Sequence, residues 1–323
     1  MKACTISSNH SCARTQAPDE TISLVKFFAD ITIIILLGIA ILLLALYATP
    51  FRRGFFCDDD SIRFPHKQNT IPSALVGVAA LGLPIIVITM SELVVYRIDP
   101  ERRRSKTFFK WAVPLWIRRW CHAVSVFLFG AAVTKLLVDS AKYTLGRLRP
   151  HFLNVCLPDV DCNKPDITQH DYIDNYECTG SDMELIKDAR MSFPSGHAAL
   201  AFYSATFTIL YLEQMMTWRG SSLLRHTIQA VFLLAAWMTA LSRMTDFMHH
   251  WSDVVAGMAL GIVAAFLMIC AAGDLNADWC CMWCSPCEKT YAFSEHGPGS
   301  IDRECYDGVE DGSPANTASP SRQ

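Results

Sequence analysis

The stretch ITIIILLGIAILLLALY, residues 31–47, decides the fold of this chain. It contains no charged residue, and it is longer than the apolar core of a secretory signal peptide, which has about 7–15 residues. No small-residue cleavage site follows it. We therefore interpret it as an uncleaved membrane-spanning helix.

Apolar runs of similar length recur along the chain, and they lie at residues 27–48, 71–96, 121–138, 197–212, 223–241 and 254–272. A helix needs about 17–25 residues to cross a bilayer, and the charged fraction of 18% is below the roughly 25% of soluble proteins. The sequence therefore predicts an all-α integral membrane protein with six transmembrane helices. The fourth and fifth runs are bounded closely by Glu213 and Arg225, so buried helices of a soluble core are an alternative for these two.

The distribution of basic residues predicts the orientation. The segment 97–119 holds eight Lys and Arg, whereas the segment 49–69 holds four, and cytoplasmic loops carry the excess of basic residues. Residues 1–26 are then a cytoplasmic segment and residues 27–275 a six-span domain. Residues 276–323 form a cytoplasmic tail, which we expect to be largely disordered because it is polar and lacks any apolar period.

Two groups of cysteines differ in their expected chemistry. The first group falls on the oxidising outer side, where disulfides persist, and consists of Cys57, Cys156, Cys162 and Cys178. One bridge within residues 156–178 is favoured there, with free thiols as an equal alternative. The second group follows the last span and consists of Cys280, Cys281, Cys284 and Cys287. Juxtamembrane palmitoylation and unmodified thiols are both open for it.

Three cations lie at the edges of apolar runs. Lys142, Arg149 and Arg243 supply the positive charge that a phosphoryl group needs as it is transferred, and the fork of an arginine binds two oxygens at once. A solvated pair at the end of the third span is the simpler explanation for Lys142 and Arg149 taken alone. Lys135 and Asp139 are four residues apart, which predicts a local ion pair on one helix face.

A second string, Pro194-Ser195-Gly196-His197, opens the fourth apolar run. A proline suits the first turn of a helix, and the amides of Ser195 and Gly196 are then expected to face an anion at the positive helix end. His197 projects from the same turn as a candidate general acid. A helix cap beside a half-buried histidine is the simpler alternative.

The third string runs from Ser242 to Asp253. His249 and Asp253 are four apart, so on a helix they share a face, where the carboxylate can fix the histidine tautomer and leave the other ring nitrogen free to attack phosphorus. His250 is offset by about 100° on such a helix and should point elsewhere. We assign it to structure or substrate contact, and the role of Asp246 is left open.

These strings together resemble the three signatures of the type 2 phosphatidic acid phosphatase superfamily. They read Lys142-x6-Arg149-Pro150, then Pro194-Ser195-Gly196-His197, then Ser242-Arg243-x5-His249-x3-Asp253. The segments 53–62 and 146–152 are similar to animal lipid phosphate phosphatases, and the resemblance covers residues 20–275. No glycosylation sequon occurs between residues 151 and 190, a departure from many animal members.

The resemblance implies a fold and a reaction. The fold is the helical core of that superfamily. His249 attacks the phosphate, His197 protonates the leaving lipid alcohol, and Asp253 orients His249. Lys142, Arg149, Ser195, Gly196 and Arg243 hold the phosphate.

The resemblance also implies the partners of the reaction. No metal or other cofactor is expected. The expected partners are membrane lipids and lipid phosphates such as phosphatidic acid, lysophosphatidic acid, sphingosine 1-phosphate and ceramide 1-phosphate, with no nucleic acid. The sequence leaves open whether the protein forms homo-oligomers, whether it resides in the plasma membrane or in an endomembrane, and which substrate it prefers. A headgroup transferase, a catalytically silent lipid binder and a transporter are the weaker alternatives.

Overall fold

The computed structural model describes residues 24–98, 105–108, 111–160, 162, 170–215 and 222–271. The predicted tail 276–323 and the cysteine group at residues 280–287 lie outside the described residues, as do residues 1–23 of the predicted N-terminal segment 1–26.

Eight helices organise the described residues, and their bounds are α1 Leu24–Tyr47, α2 Ser73–Ile98, α3 Leu115–Leu145, α4 Phe152–Cys156, α5 Met183–Ala189, α6 Gly196–Met215, α7 Ser222–Thr245 and α8 Trp251–Ala271. Two short antiparallel pairings accompany them. Strand β1 (Phe55–Phe56) pairs with β4 (Tyr172–Ile173), with Phe55 opposite Ile173, and β2 (Ser105–Phe108) pairs with β3 (Trp111–Pro114). The predicted all-α class is confirmed.

Five described helices are long and apolar enough to cross a membrane, namely α1, α2, α3, α7 and α8. Large apolar side chains such as Leu36, Val78 and Leu234 are exposed on their outer faces, as lipid-facing side chains of membrane helices are. Helix α6, the predicted fourth span, is not among the five. A count of six spans therefore stays a prediction, while the multi-pass membrane architecture is confirmed.

Helix α6 is the centre of the bundle and packs against α2, α3, α7 and α8. Small residues allow α6 and α8 to approach closely, because a side chain at Gly257 or Gly261 would collide with the backbone carbonyl of Ser195 or Ala199. Most of α6 is buried, including Phe202. Its surroundings are protein, so it does not need the continuous apolar surface that lipid requires.

A small extramembrane cap covers the end of the bundle where α3 ends and α6 and α8 begin. Its core packs Phe55, Phe152 and Tyr176 together. Two disulfides, Cys57–Cys162 and Cys156–Cys178, stabilise it. The favoured bridge within residues 156–178 is present. The second bridge joins Cys57 to Cys162 across 105 residues of sequence, and the sequence alone leaves the pairing of these two cysteines open.

Candidate active site

The first string lies where α3 ends. Gly146 terminates the helix in the left-handed conformation at φ 54°, and its amide bonds the carbonyl of Lys142. A side chain at Gly146 would meet the carbonyl of Phe51, so glycine is needed both for the conformation and for the space. This turn places Lys142 on the last turn of α3 and directs the following segment, including Arg149, across the end of the bundle.

Arg149 is buried and held from two sides. Its backbone amide donates to the carbonyl of Ala189 at 2.8 Å. Its Nη2 donates to Oδ1 of Asp188 at 2.6 Å, and its Nη1 lies 3.5 Å from the sulfur of Met248. The guanidinium is thus fixed between α5 and the third string.

The second string begins α6 two residues later than expected, with Pro194 before the helix and not in its first turn. The helix starts at Gly196, and the Ser195 hydroxyl accepts a long hydrogen bond of 3.5 Å from the amide of Ala198. The Ser195 amide donates to the carbonyl of Asp253 at 3.0 Å. It therefore ties α6 to α8 and is not the free anion donor that the sequence suggested.

The first two strings meet at Gly196. A methyl group in place of its hydrogen would lie 3.8 Å from the ammonium nitrogen of Lys142 and 3.4 Å from Val138. His197 follows on the same turn, and its Nε2 is buried. Lys142 therefore lies beside the residue that precedes the general-acid candidate, although the two belong to different helices.

Arg243 lies in the last turn of α7, and its guanidinium is buried in a dense hydrogen-bond network. Its Nη1 donates to Oδ1 of Asn69 at 2.9 Å, and its Nη2 donates to Oδ2 of Asp246 at 3.0 Å and to the carbonyl of Ile71 at 3.4 Å. Nε donates to the hydroxyl of Ser242. Arg243 is a predicted phosphate ligand, and the structure assigns it a second task, which is to join the third string to the loop before α2.

That loop, residues 64–71, is named the outer strap here. Thr70 donates from its amide (2.8 Å) and its hydroxyl (2.5 Å) to the two carboxylate oxygens of Asp246. Phe64 stacks on Phe247 with ring centroids 4.5 Å apart. The ammonium nitrogen of Lys67 lies 4.4 Å from the centroid of the same Phe247 ring. The outer strap thereby covers the turn between Arg243 and His249 from outside.

The third string departs from the predicted helix. Helix α8 begins at Trp251, so His249 lies in the preceding turn, and its Nδ1 is 3.9 Å from Oδ2 of Asp253. This distance is longer than a hydrogen bond. The expectation that His250 points elsewhere was wrong, because its Nδ1 lies 3.2 Å and its amide 3.0 Å from the same Asp253 oxygen.

Helix capping explains why His250 contacts Asp253. Asp253 is the third residue of α8, and its carboxylate reaches back to the amide of His250, while its own amide donates to the carbonyl of His250 at 3.1 Å. This is one half of a capping box, in which the side chain of the third helical residue accepts from the amide of the capping residue, and a backbone hydrogen bond closes the same turn. A pattern that assumes a continuous helix through His249 cannot anticipate it.

Asp253 is fully buried and joins all three strings. Its Oδ1 accepts from Nη1 of Arg147 at 2.5 Å, and its Oδ2 accepts from the hydroxyl of Ser192 at 2.6 Å. Arg147 also donates to the hydroxyl of Ser252. Since a buried carboxylate needs a partner charge, Arg147 is the cation paired with Asp253, and His250 and Ser192 add hydrogen bonds to the same carboxylate.

Burial governs the protonation of two histidines near the site. Burial, followed by the charges of Arg149 and Lys142, lowers the pKa of His249 well below its usual value, and a backbone hydrogen bond at Ser192 opposes this. Burial likewise lowers the pKa of His151 to about 4, and its Nδ1 lies 2.9 Å from the carbonyl of Phe247. His249 is therefore neutral at physiological pH, as a nucleophile must be.

Several polar atoms at the site are buried without a hydrogen-bond partner among the described residues: Arg149 Nε, His197 Nε2 and His249 Nδ1. Buried polar groups are usually satisfied. Arg149 Nε and His197 Nε2 therefore fit a site that waits for a polar ligand, whereas His249 Nδ1 is the ring nitrogen that faces Asp253. With Lys142 and the imidazole of His249 they suit an anion such as phosphate. Over the described ranges, no group of three or more His, Cys, Asp and Glu could hold a metal ion.

Sequence reasoning missed five residues that build the site, and these are Arg147, Asp188, Ser192, Asn69 and Thr70. Arg147 lies inside the segment 146–152 that drew attention for its resemblance, which was an available signal. A short helix holds Asp188, and a loop holds Asn69 and Thr70. Their partners lie at least 39 residues away in the chain, and no spacing rule relates residues so far apart. The predicted ion pair of Lys135 with Asp139 is present.

Comparison with known proteins identifies relatives of the whole bundle. The PAP2 superfamily matches residues 120–277. A Drosophila melanogaster protein named "Putative phosphatidate phosphatase" is 37% identical over 76% of this chain and 68% of its own length. Phospholipid phosphatase 1 of Mus musculus is 36% identical over 77% of this chain and 85% of its own length, and phospholipid phosphatase 2 of Homo sapiens is 34% identical over 76% and 82%.

Proposed function

The chain belongs to the PAP2 superfamily, and on that basis we propose that it is a lipid phosphate phosphatase that works through a phosphohistidine. Phosphatidic acid, lysophosphatidic acid, sphingosine 1-phosphate and ceramide 1-phosphate are its proposed substrates. The membrane architecture and the names of its relatives support a lipid that carries a phosphate monoester. No metal ion takes part in the proposed mechanism.

One observation carries this proposal. Arg149 Nε and His197 Nε2 are buried at one end of the bundle without a hydrogen-bond partner among the described residues, and Lys142 lies beside Gly196 in the same place. A phosphate monoester carries about two negative charges at neutral pH. Its oxygens offer acceptors to the lysine and arginine, and the imidazoles then lie where a bond to phosphorus forms and another breaks.

In the first step, neutral His249 attacks phosphorus and a P–N bond forms while the P–O bond to the lipid breaks. His197 gives a proton to the departing oxygen, which leaves as the lipid alcohol. In the second step, His197 accepts a proton from water, the resulting oxygen attacks phosphorus, and the P–N bond breaks. Inorganic phosphate is released and His249 returns to its starting form.

Asp253 is proposed to support the cationic form of His249. The 3.9 Å separation of His249 Nδ1 and Asp253 Oδ2 has to shorten to about 2.7–3.2 Å for a hydrogen bond. Catalytic hydrogen bonds are often long in unliganded enzymes and tighten with substrate bound. Arg147, Ser192 and His250 keep the carboxylate in place before that happens.

We propose that the site faces the extracellular or luminal side. The two disulfides of the cap lie at the same end of the bundle as the site, and disulfides persist in oxidising compartments. The lipid tails would remain in the bilayer beside α1, α2 and α7, while the headgroup phosphate reaches Lys142 and Arg149 at the membrane surface. Plasma membrane and endomembrane both satisfy this arrangement.

The test is phosphate release from short-chain phosphatidic acid by membranes containing the protein, with EDTA present. Wild-type protein and the control His170→Ala, in an exposed surface loop, are expected to release phosphate. The rate of phosphate release is expected to fall at least about a hundredfold in His249→Ala and in His197→Ala. This factor is the lower end of the contribution of general acid–base catalysis. Equal activity of His249→Ala and wild type would contradict the proposal, and running the other three lipids in parallel determines the substrate range.

A further inference from the structure

Arg149 is paired with a carboxylate that is not part of any of the three strings. Its Nη2 donates to Oδ1 of Asp188 at 2.6 Å, and the two side chains differ sharply in exposure, at 8% for Arg149 and 46% for Asp188. Asp188 lies in the last turn of α5. The buried partner is fixed in the site, whereas the exposed partner can turn into water.

The two residues have unequal freedom to separate. Arg149 is anchored by its backbone bond to Ala189 and by its contact with Met248. Burial lowers the pKa of Arg149, and the negative charges of Asp188 and Asp253 raise it. A buried cation left without a counter-charge is strongly unfavourable, so some anion has to accompany Arg149 whether or not substrate is present.

We propose that Asp188 is an exchangeable counter-ion that occupies Arg149 in the free enzyme and gives way to the phosphate of the substrate. This inference rests on the proposed function, since it takes Arg149 as a phosphate ligand. Phosphate oxygens and the Asp188 carboxylate compete for Nη2 of the same guanidinium. A bound phosphate and a nearby carboxylate also repel each other.

Two consequences follow for the reaction cycle. The competition weakens binding of every phosphate species, which includes the inorganic phosphate left after hydrolysis. Once phosphate departs, Asp188 returns to Arg149 and satisfies the buried charge again. Asp188 therefore favours product release, and its role is that of a positioning residue acting through Arg149.

The experiment measures inhibition by inorganic phosphate in Asp188→Asn, Asp188→Glu and wild type. The control is Glu184→Gln, which removes the same charge from an exposed position of α5. Asp188→Asn is expected to lower the Ki for phosphate and the KM for the lipid phosphate about tenfold, the factor that a modest interaction energy produces. Asp188→Glu keeps the carboxylate and should retain the wild-type Ki, as should the control.

Thermal stability gives a second measurement that needs no turnover. Asp188→Asn is expected to melt at a lower temperature than wild type without phosphate and to gain more from added phosphate, because an anion then restores the missing counter-charge. An unchanged or higher Ki in Asp188→Asn would overturn the inference. So would a large loss of kcat with an unchanged Ki, which would indicate proton transfer, or a tenfold lower Ki in Asp188→Glu.

If wild-type protein releases no phosphate from any lipid, the proposed function fails, and the melting experiment still decides whether phosphate competes with Asp188. If the lipids are hydrolysed but phosphate binding ignores Asp188, the proposed function stands and only this inference fails.

Discussion

Nη1 of Arg147 lies 2.5 Å from Oδ1 of Asp253, and this contact joins the turn after α3 to the first turn of α8. Asp253 is completely buried, while about a third of the Arg147 side chain is exposed. The arginine thus supplies a counter-charge to the buried carboxylate beside the candidate nucleophile.

The first prediction concerns that ion pair. Arg147→Gln removes the counter-charge and leaves Asp253 buried with neutral partners. Because Arg147 is partly exposed, we expect a loss of about 3 kcal/mol in the free energy of unfolding, the lower end for a broken buried pair. Unfolding of the purified protein in detergent measures this loss. The exposed Arg53→Gln is the control, and equal stability of both variants would contradict the assigned role of Arg147.

The second prediction concerns the outer strap. Thr70→Val keeps the shape of the side chain but deletes the hydroxyl donor to Asp246, which costs roughly 1–3 kcal/mol for an unsatisfied buried acceptor. Asp246 in turn holds Arg243, so inhibition by inorganic phosphate should weaken together with kcat/KM. Thr70→Ser retains the hydroxyl and should behave like wild type. A Thr70→Val variant with lower stability but unchanged phosphate inhibition would reduce the outer strap to a structural element.

The third prediction concerns the contact between α6 and α8. Gly257→Ala would bring a methyl group into the carbonyl of Ser195, which shifts the helix start that carries His197. We expect activity to fall at least about tenfold, because small displacements of catalytic groups cost up to about a hundredfold. Gly82→Ala in α2 meets nothing within 4 Å and is the matched control. Full activity in Gly257→Ala would show that α6 and α8 can separate without harm.

The fourth prediction concerns pH. His151 is neutral in the folded protein down to a pKa of about 4, whereas an unfolded histidine binds a proton below about 6.5. Between these values the unfolded state binds more protons, so stability rises with pH by about 1.4 kcal/mol per pH unit for this residue. His151→Gln cannot titrate and should reduce the slope of stability against pH between 4 and 6.5. His170→Gln in a surface loop is the control, and an unchanged slope in His151→Gln would refute this assignment.

The sequence predicts the helical parts of this protein well. An uncharged run such as residues 31–47 is expected to form a helix in a membrane, because backbone polar groups in lipid must be hydrogen-bonded within the segment. The central helix α6 is harder to classify, since Gly257 and Gly261 on another helix determine what surrounds it. Its own composition therefore does not establish a membrane span.

The sequence predicts many of the residues of the site but only some of the contacts between them. Lys142 and Gly196 are brought together as their strings suggested. The partners of Asp253 could not be predicted, because they depend on whether α8 starts before or after His249. A difference of two residues at that start exchanges His249 for His250 as the hydrogen-bond partner. The Asp188 contact depends on a short helix inside a loop that has no apolar period.

The central claim is that His249 carries the phosphoryl group during turnover. The most direct measurement is rapid acid-free quenching of wild-type protein during hydrolysis of radiolabelled short-chain phosphatidic acid, followed by identification of the labelled residue. The account predicts an acid-labile phosphoryl group on His249, which is absent in His249→Ala and present in the control His170→Ala. A label on any other residue, or wild-type turnover by His249→Ala, would contradict it.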